Sequence, residues 1–195
     1  IGKHYAIGNL PDTIVCQFYV CTRTVEQILQ LMMKDSDNLH AESMFYHLAH
    51  LEAGKGASWK DGATRVGAMM SRAGVPSSQY VIADGSGVSL YNYVTPSAEV
   101  SVLRYAYQNE HIYRHFYPAL PIAGVDGTLE KRMTKGTAHT NIHAKTGTVS
   151  GVSCLAGYCR ASNGNLLAFS IMNNGLIRTS IGRELQDILC QEMTK

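Results

Sequence analysis

The sequence predicts an α+β fold in which a mostly helical stretch precedes a small antiparallel sheet. Three observations carry this reading. Apolar residues recur at helical spacing from about residue 24 to residue 107. After residue 141 the pattern changes to short β-branched and aromatic runs, two of them joined by the hairpin signal Ser162-Asn163-Gly164. A last amphipathic stretch, marked by Ile181, Leu185, Ile188 and Leu189, can then cover one face of that sheet.

In chain order, Ile14 to Val20 is expected to be a strand, and Thr24 with Gln27 forms a capping box that opens a helix. Val25, Ile28, Leu29 and Met32 lie on one face of that helix, which should stop near Lys34 because Asp35-Ser36-Asp37-Asn38 favours a turn. Leu39, Ala41, Phe45, Leu48 and Ala49 then mark a second helix capped by Gly54, so Ser36 to Asn38 falls in a tight corner between two helices. A third helix is expected from Asp61, with Ala63, Val66 and Met70 inward and Gly74 and Pro76 at its end.

Tyr80 to Ala83 reads as a short strand and Asp84-Gly85-Ser86-Gly87 as a sharp turn. Asp84, Ser86 and Asn92 are read as bonding local backbone there. Thr95-Pro96 caps a helix bearing Val100, Leu103 and Tyr107. Signals between His111 and Thr140 are mixed, with a short helix followed by Pro118, Pro121 and Asp126-Gly127. Asn141 to Thr148, Gly151 to Arg160 and Leu166 to Met172 are the three expected strands of a meander.

With 195 residues, 45% hydrophobic and 16% charged, the chain has the composition of one globular domain and excludes disorder and coiled coil. A net charge of +2 is too small to predict nucleic-acid or membrane-surface binding. The longest apolar run, Leu166 to Met172, is far below the roughly 18 residues of a spanning helix. The first residue is Ile1, with no basic-then-apolar leader, so the natural start is expected to have been removed. The five cysteines (Cys16, Cys21, Cys154, Cys159, Cys190) form no CxxC pair and are read as free thiols.

Two motifs bear chemistry: Ser36-Asp37-Asn38 on the interhelical corner and Lys145-Thr146-Gly147-Thr148 on a strand. S-D-N and K-T-G so placed form two walls of one cleft in acyl-transfer enzymes of the penicillin-recognising type. The chain further contains SDNLHAESMFYHLA from Ser36, IADGSGVSLYN from Ile82, LPIAGVDGTLEKRM from Leu120 and HAKTGTVSGVSCLAGYCRASNG from His143. In these four ordered blocks it resembles the C-terminal portion of D-alanyl-D-alanine carboxypeptidases of the PBP4 type, the class C low-molecular-mass penicillin-binding proteins.

The resemblance implies a β-lactamase/transpeptidase-like fold, here incomplete: one domain over 1–195, helical over 24–135, with the sheet and terminal helix over 141–195. It implies a serine-type carboxypeptidase or endopeptidase of peptidoglycan, periplasmic or otherwise outside the cytoplasmic membrane of a bacterium. Its ligands would be D-Ala-D-Ala stem peptides and β-lactams. By the same resemblance Ser36 relays a proton and Asn38 bonds the substrate amide. Lys145 supplies positive charge, Thr146 and Thr148 bind the terminal carboxylate, and Gly147 lets substrate backbone lie against the strand. The Thr148 N–H would be an oxyanion donor.

One part of the pattern is missing. The acylating serine and its base lie in S-x-x-K, and no serine of this sequence has lysine three residues on. The sequence therefore reads as a truncated or proteolysed portion, inactive alone, or alternatively as a non-catalytic peptidoglycan- or partner-binding module. Removal of a central helix is expected to leave Phe45, Leu48 or the inner strand faces uncovered and to favour self-association. The edge beside the Lys145 strand would be a second adhesive site.

Rival readings fail on chemistry. Ala144 stands where a phosphorylating ATPase needs aspartate, and the glycines of a Walker A loop are absent. His40-Ala41-Glu42 is followed by no P-C-x-x-C, and His47 with His50 fits an exposed helix face, so no metal or other cofactor is predicted. Trp59 and the cluster Tyr105, Tyr107, Tyr113, Phe116 and Tyr117 are read as packing.

Overall fold

A computed structural model describes residues 22–195. The expected strand Ile14 to Val20 lies outside the described residues. Helix α1 (Val25–Lys34) opens on the predicted capping box, with Gln27 N–H donating to Thr24 Oγ1 at 3.2 Å and Thr24 N–H to Gln27 Oε1 at 3.0 Å. Helix α2 (Asn38–Ala53) is capped by Asp37, whose carboxylate accepts from His40 N–H at 2.8 Å. Between them Ser36 takes a left-handed φ of 58°, which turns the chain within a few residues.

Helix α3 (Trp59–Arg72) begins two residues before the expected Asp61, because Asp61 is the third helical residue and its carboxylate accepts from Ser58 N–H at 2.7 Å. Strand β1 (Tyr80–Val81) is shorter than expected and pairs antiparallel with β2 (Tyr93–Val94). The turn between them is closed as predicted. Asp84 accepts from Gly87 N–H at 2.6 Å and Ser89 N–H at 2.7 Å, and Asn92 Nδ2 donates to Asp84 at 2.9 Å. Helix α4 (Pro96–Gln108) is capped by Thr95, and the ambiguous stretch after it forms α5 (Glu110–Ala119) and a short 3-10 turn at Gly127–Leu129.

Strands β3 (His143–Val149), β4 (Val152–Arg160) and β5 (Leu166–Asn173) form the expected meander, in the order β3-β4-β5 and antiparallel throughout. Asn141 and Ile142 precede β3 rather than joining it. The Asn141 side chain instead imitates a strand partner, accepting from Arg160 N–H at 2.8 Å and donating to Arg160 O at 2.9 Å. Side-chain alternation along β4 divides the core in two. Leu155 and Cys159 pack with Ile142, Leu129 and Cys190, while Tyr158 packs with Leu103 and Leu120. Tyr158 Oη also donates to Leu103 O at 2.6 Å, tying the sheet to the helical part.

Helix α6 (Thr179–Met193) covers the first of these faces, but with the opposite side from the one expected. Ile181, Leu185, Ile188 and Leu189 are 49%, 45%, 59% and 39% exposed, while Gly182, Gln186 and Cys190 are buried. Close approach explains the inversion: a Cβ on Gly182 would lie 2.6 Å from Leu176 Cδ1. Gln186 is buried without penalty because its amide donates to Ser153 O at 3.0 Å and Asn173 Oδ1 at 3.1 Å, and accepts from Arg132 at 3.0 Å.

Phe45, expected to be uncovered, is buried as well. Two glycines make room for it. A Cβ would lie 2.8 Å from its ring on Gly62 and 2.3 Å from its Cβ on Gly85. Val25 and Leu39, read as inward, are exposed, and so are Trp59 and Tyr107, although the Tyr107 ring meets Tyr113 edge to face at 5.2 Å. The inner strand face, also expected to be uncovered, does border an apolar cavity through Val152, Cys154, Ala156 and Met172. Further exposed apolar residues lie on α6 and around β1 and β2, among them Val81, Leu90, Tyr91 and Tyr93.

Candidate active site

The corner between α1 and α2 faces the outer strand of the sheet. Lys145 sits in β3 opposite Ala156 of β4, and therefore on the sheet face that carries Tyr158 and meets the helical part. Its Nζ donates to Ser36 Oγ at 2.6 Å and to Thr146 O at 2.7 Å. A cleft of about 460 Å³ is lined by all six residues singled out in the sequence: Ser36, Asn38, Lys145, Thr146, Gly147 and Thr148.

Burial sets the chemistry of this pair. Desolvation brings the Lys145 ammonium down to about 8, so near neutral pH a buried amine poised to exchange a proton touches a hydroxyl. Asp37 contributes structure: it caps α2, and the His40 N–H bond holds its carboxyl below the usual range. Asn38 lies exposed in the first turn of α2, and Gly147 and Thr148 are exposed on the edge of β3. The opposite side of the cleft is the Gly85–Val88 turn, which Glu42 of α2 holds by accepting from Gly85 N–H at 2.9 Å and Ser86 N–H at 3.0 Å.

Three residues at the site were not singled out from sequence. Thr146 Oγ1 donates to Thr128 Oγ1 at 2.8 Å. Lys34, the last residue of α1, bonds Asp126 at 2.7 Å. Thr128 and Asp126 belong to a stretch whose mixed local signals gave no element, marked by the Asp126-Gly127 turn pair and by the LPIAGVDGTLEKRM block but with no role assigned to either residue. A second cavity of about 700 Å³ adjoins the cleft, walled by Met70, Val102, Leu103 and Phe116, with Lys145 and Glu99 on its lining. Among the described residues no group of three or more His, Cys, Asp or Glu side chains is placed to hold a metal ion.

Residues 21–195 match the D-Ala-D-Ala carboxypeptidase 3 (S13) family. The chain belongs to that family. Among curated members it is 36% identical over 156 residues to the D-alanyl-D-alanine carboxypeptidase DacB of Haemophilus influenzae, a match covering 79% of this chain and 32% of that protein. It is 40% identical over 156 residues to a D-alanyl-D-alanine carboxypeptidase of an Actinomadura species, covering 77% and 28%. This S13 chain thus spans about a third of the length of the curated relatives it matches.

The S13 fold is seen directly in penicillin binding protein 4 of Haemophilus influenzae. Its crystal structure superposes with a TM-score of 0.80 at 33% identity, over 87% of this chain and 39% of that one. The TLA-3 extended-spectrum β-lactamase, at 17% identity, shares the fold with a TM-score of 0.66, covering 87% and 62%. The architecture is therefore the expected α+β, β-lactamase/transpeptidase-like one.

Proposed function

We propose that this chain supplies two walls of the active site of a serine-type D-Ala-D-Ala carboxypeptidase or endopeptidase acting on peptidoglycan stem peptides through an acyl-enzyme. The observation that supports it most is the 2.6 Å contact between Lys145 Nζ and Ser36 Oγ, made by residues of both motifs at the floor of one cleft. In this reading Ser36 and Lys145 relay a proton to the leaving amine, and Asn38 bonds the substrate amide. Thr146 and Thr148 hold the terminal carboxylate, Gly147 admits the substrate backbone to β3, and the Thr148 N–H faces the oxyanion. The parent protein acts outside the cytoplasmic membrane of a bacterium.

The acylating pair S-x-x-K is not in these 195 residues, so the chain alone should form no covalent adduct. A fluorescent β-lactam incubated with the chain and resolved after denaturation should leave it unlabelled. Co-refolding with an S-x-x-K-bearing segment from a family member should produce label on the added segment, and Lys145→Ala should abolish it. Label on Ser36 in the chain alone, or no label in a complex shown to form, would defeat the proposal. The alternative reading is a binding module that retains the ligand walls without chemistry. A folded complex that binds D-Ala-D-Ala peptide yet never acylates would favour it.

A further inference from the structure

Lys34 ends α1 two residues before Ser36, and its side chain crosses to the loop that follows α5. All three of its ammonium donors are engaged: Asp126 Oδ2 at 2.7 Å, Asp126 Oδ1 at 2.9 Å and Leu120 O at 2.6 Å. Asp126 Oδ1 also accepts from Ile122 N–H at 2.8 Å, which fixes the carboxylate to its own loop. Backbone meets backbone at the next residue. Gly127 has φ +56°, and a Cβ there would lie 2.6 Å from Lys34 O, so the loop can approach α1 this closely only with glycine. Thr128, one residue further, bonds Thr146 of β3.

Three consecutive residues therefore touch the end of α1 on one side and the Lys145 strand on the other. We propose that the Lys34–Asp126 ion pair is a positioning strut that sets the separation of Ser36 from Lys145, with the Asp126–Thr128 loop bridging α1 to β3 behind the cleft. Besides this strut, the end of α1 meets the sheet through the Lys145–Ser36 contact and through Met33, which packs on the cluster around Tyr158. The strut rests on the reading of Ser36 and Lys145 as a proton relay for its purpose, but its geometry can be tested without substrate.

The readout is the side-chain NMR titration of Lys145 in the full chain, in the parent and in Lys34→Met, Asp126→Asn and Asp126→Glu. Release of the corner admits water to Lys145, so its pKa should rise from about 8 by about one unit or more in Asp126→Asn, with partial return in Asp126→Glu. The direction is diagnostic. Removing a nearby negative charge without movement would lower the lysine pKa, so only a change of geometry raises it. Lys34→Met removes a like charge, so its rise is corroboration, and the isosteric Asp126→Asn decides the matter even if Lys34→Met does not fold. A Lys145 pKa that is unchanged or lower in folded Asp126→Asn overturns the strut. Since no β-lactam enters this experiment, a raised pKa beside failed acylation keeps the strut and removes the acyl-transfer reading. An unmoved pKa beside successful acylation removes the strut alone.

Discussion

The ammonium of Lys145 meets the hydroxyl of Ser36 at 2.6 Å, although 109 positions separate them in the chain. A lysine buried in this way leaves a signature in stability. Its folded pKa of about 8 lies below the ordinary 10.5, so between these values the unfolded state binds more protons and stability rises with pH. Below about pH 8 both states are protonated and the burial penalty is fully present. The urea midpoint of Lys145→Met, measured at pH 7.5, 9 and 10, should lack the rise attributable to this group in the parent. Parallel profiles would refute the assignment.

Glu99 is an opposite case on the neighbouring cavity wall. Burial raises its carboxyl pKa, and only partly is this offset by Ser170 Oγ, which donates to it at 2.7 Å. A raised carboxyl destabilises the folded state once pH exceeds the unfolded value, and has no such effect where both states are protonated. Glu99→Gln should therefore raise stability at pH 7, with the gain vanishing below the ordinary carboxylate pKa. Urea unfolding at pH 7 and pH 4 measures both parts.

A single methyl group at Gly157 should damage the site from behind. A Cβ there would lie 2.1 Å from His143 O and 2.5 Å from Ala144 Cα, so β3 must move away from β4 beside Lys145. Gly157→Ala is expected to cost about 3 kcal/mol, the upper part of the overpacking range. Urea unfolding gives the cost, and the Lys145 NMR signal should shift in whatever fraction remains folded.

The helix α6 contact is polar at its centre, so an apolar replacement should weaken it. Gln186→Leu removes donors from Ser153 O and Asn173 Oδ1 and an acceptor from Arg132, at about 2 kcal/mol for buried groups left unpaired. A stability equal to the parent would show that water replaces the amide.

Exposed Ile181, Leu185, Ile188 and Leu189 make α6 the apolar face from which self-association is expected. Light scattering across a wide concentration range should show mass rising above the 21.3 kDa monomer, and Leu185→Lys with Ile188→Lys should suppress the rise. A monomer at every concentration rules this out.

Local chemistry was what the sequence displayed. Thr24 with Gln27, Asp37 ahead of α2, Thr95-Pro96 and Ser162-Asn163-Gly164 act within a few residues, and each closes the element expected of it. The cleft was legible for a related reason, since Ser36 to Asn38 and Lys145 to Thr148 are compact motifs on elements of clear period. Periodicity chose the wrong face of α6 because it scores apolarity, whereas Gly182 buries through small size and Gln186 through complete hydrogen bonding. The pairing of Lys34 with Asp126 was invisible because nothing in a local pattern couples charges 92 residues apart.

The wide spacing of these contacts has a kinetic meaning. Bonds from Lys34 to Leu120, from Lys34 to Asp126 and from Lys145 to Ser36 close loops of 86, 92 and 109 residues. Closing such loops is an entropic barrier that is compensated only after the segments between have condensed, and long-range contacts of this kind slow folding. The α1 and α2 helices and the β3-β4-β5 meander rest on short-range contacts and can form early. The cleft needs both sets in place, so a probe on Lys145 should report on a later stage of folding than a probe within either one.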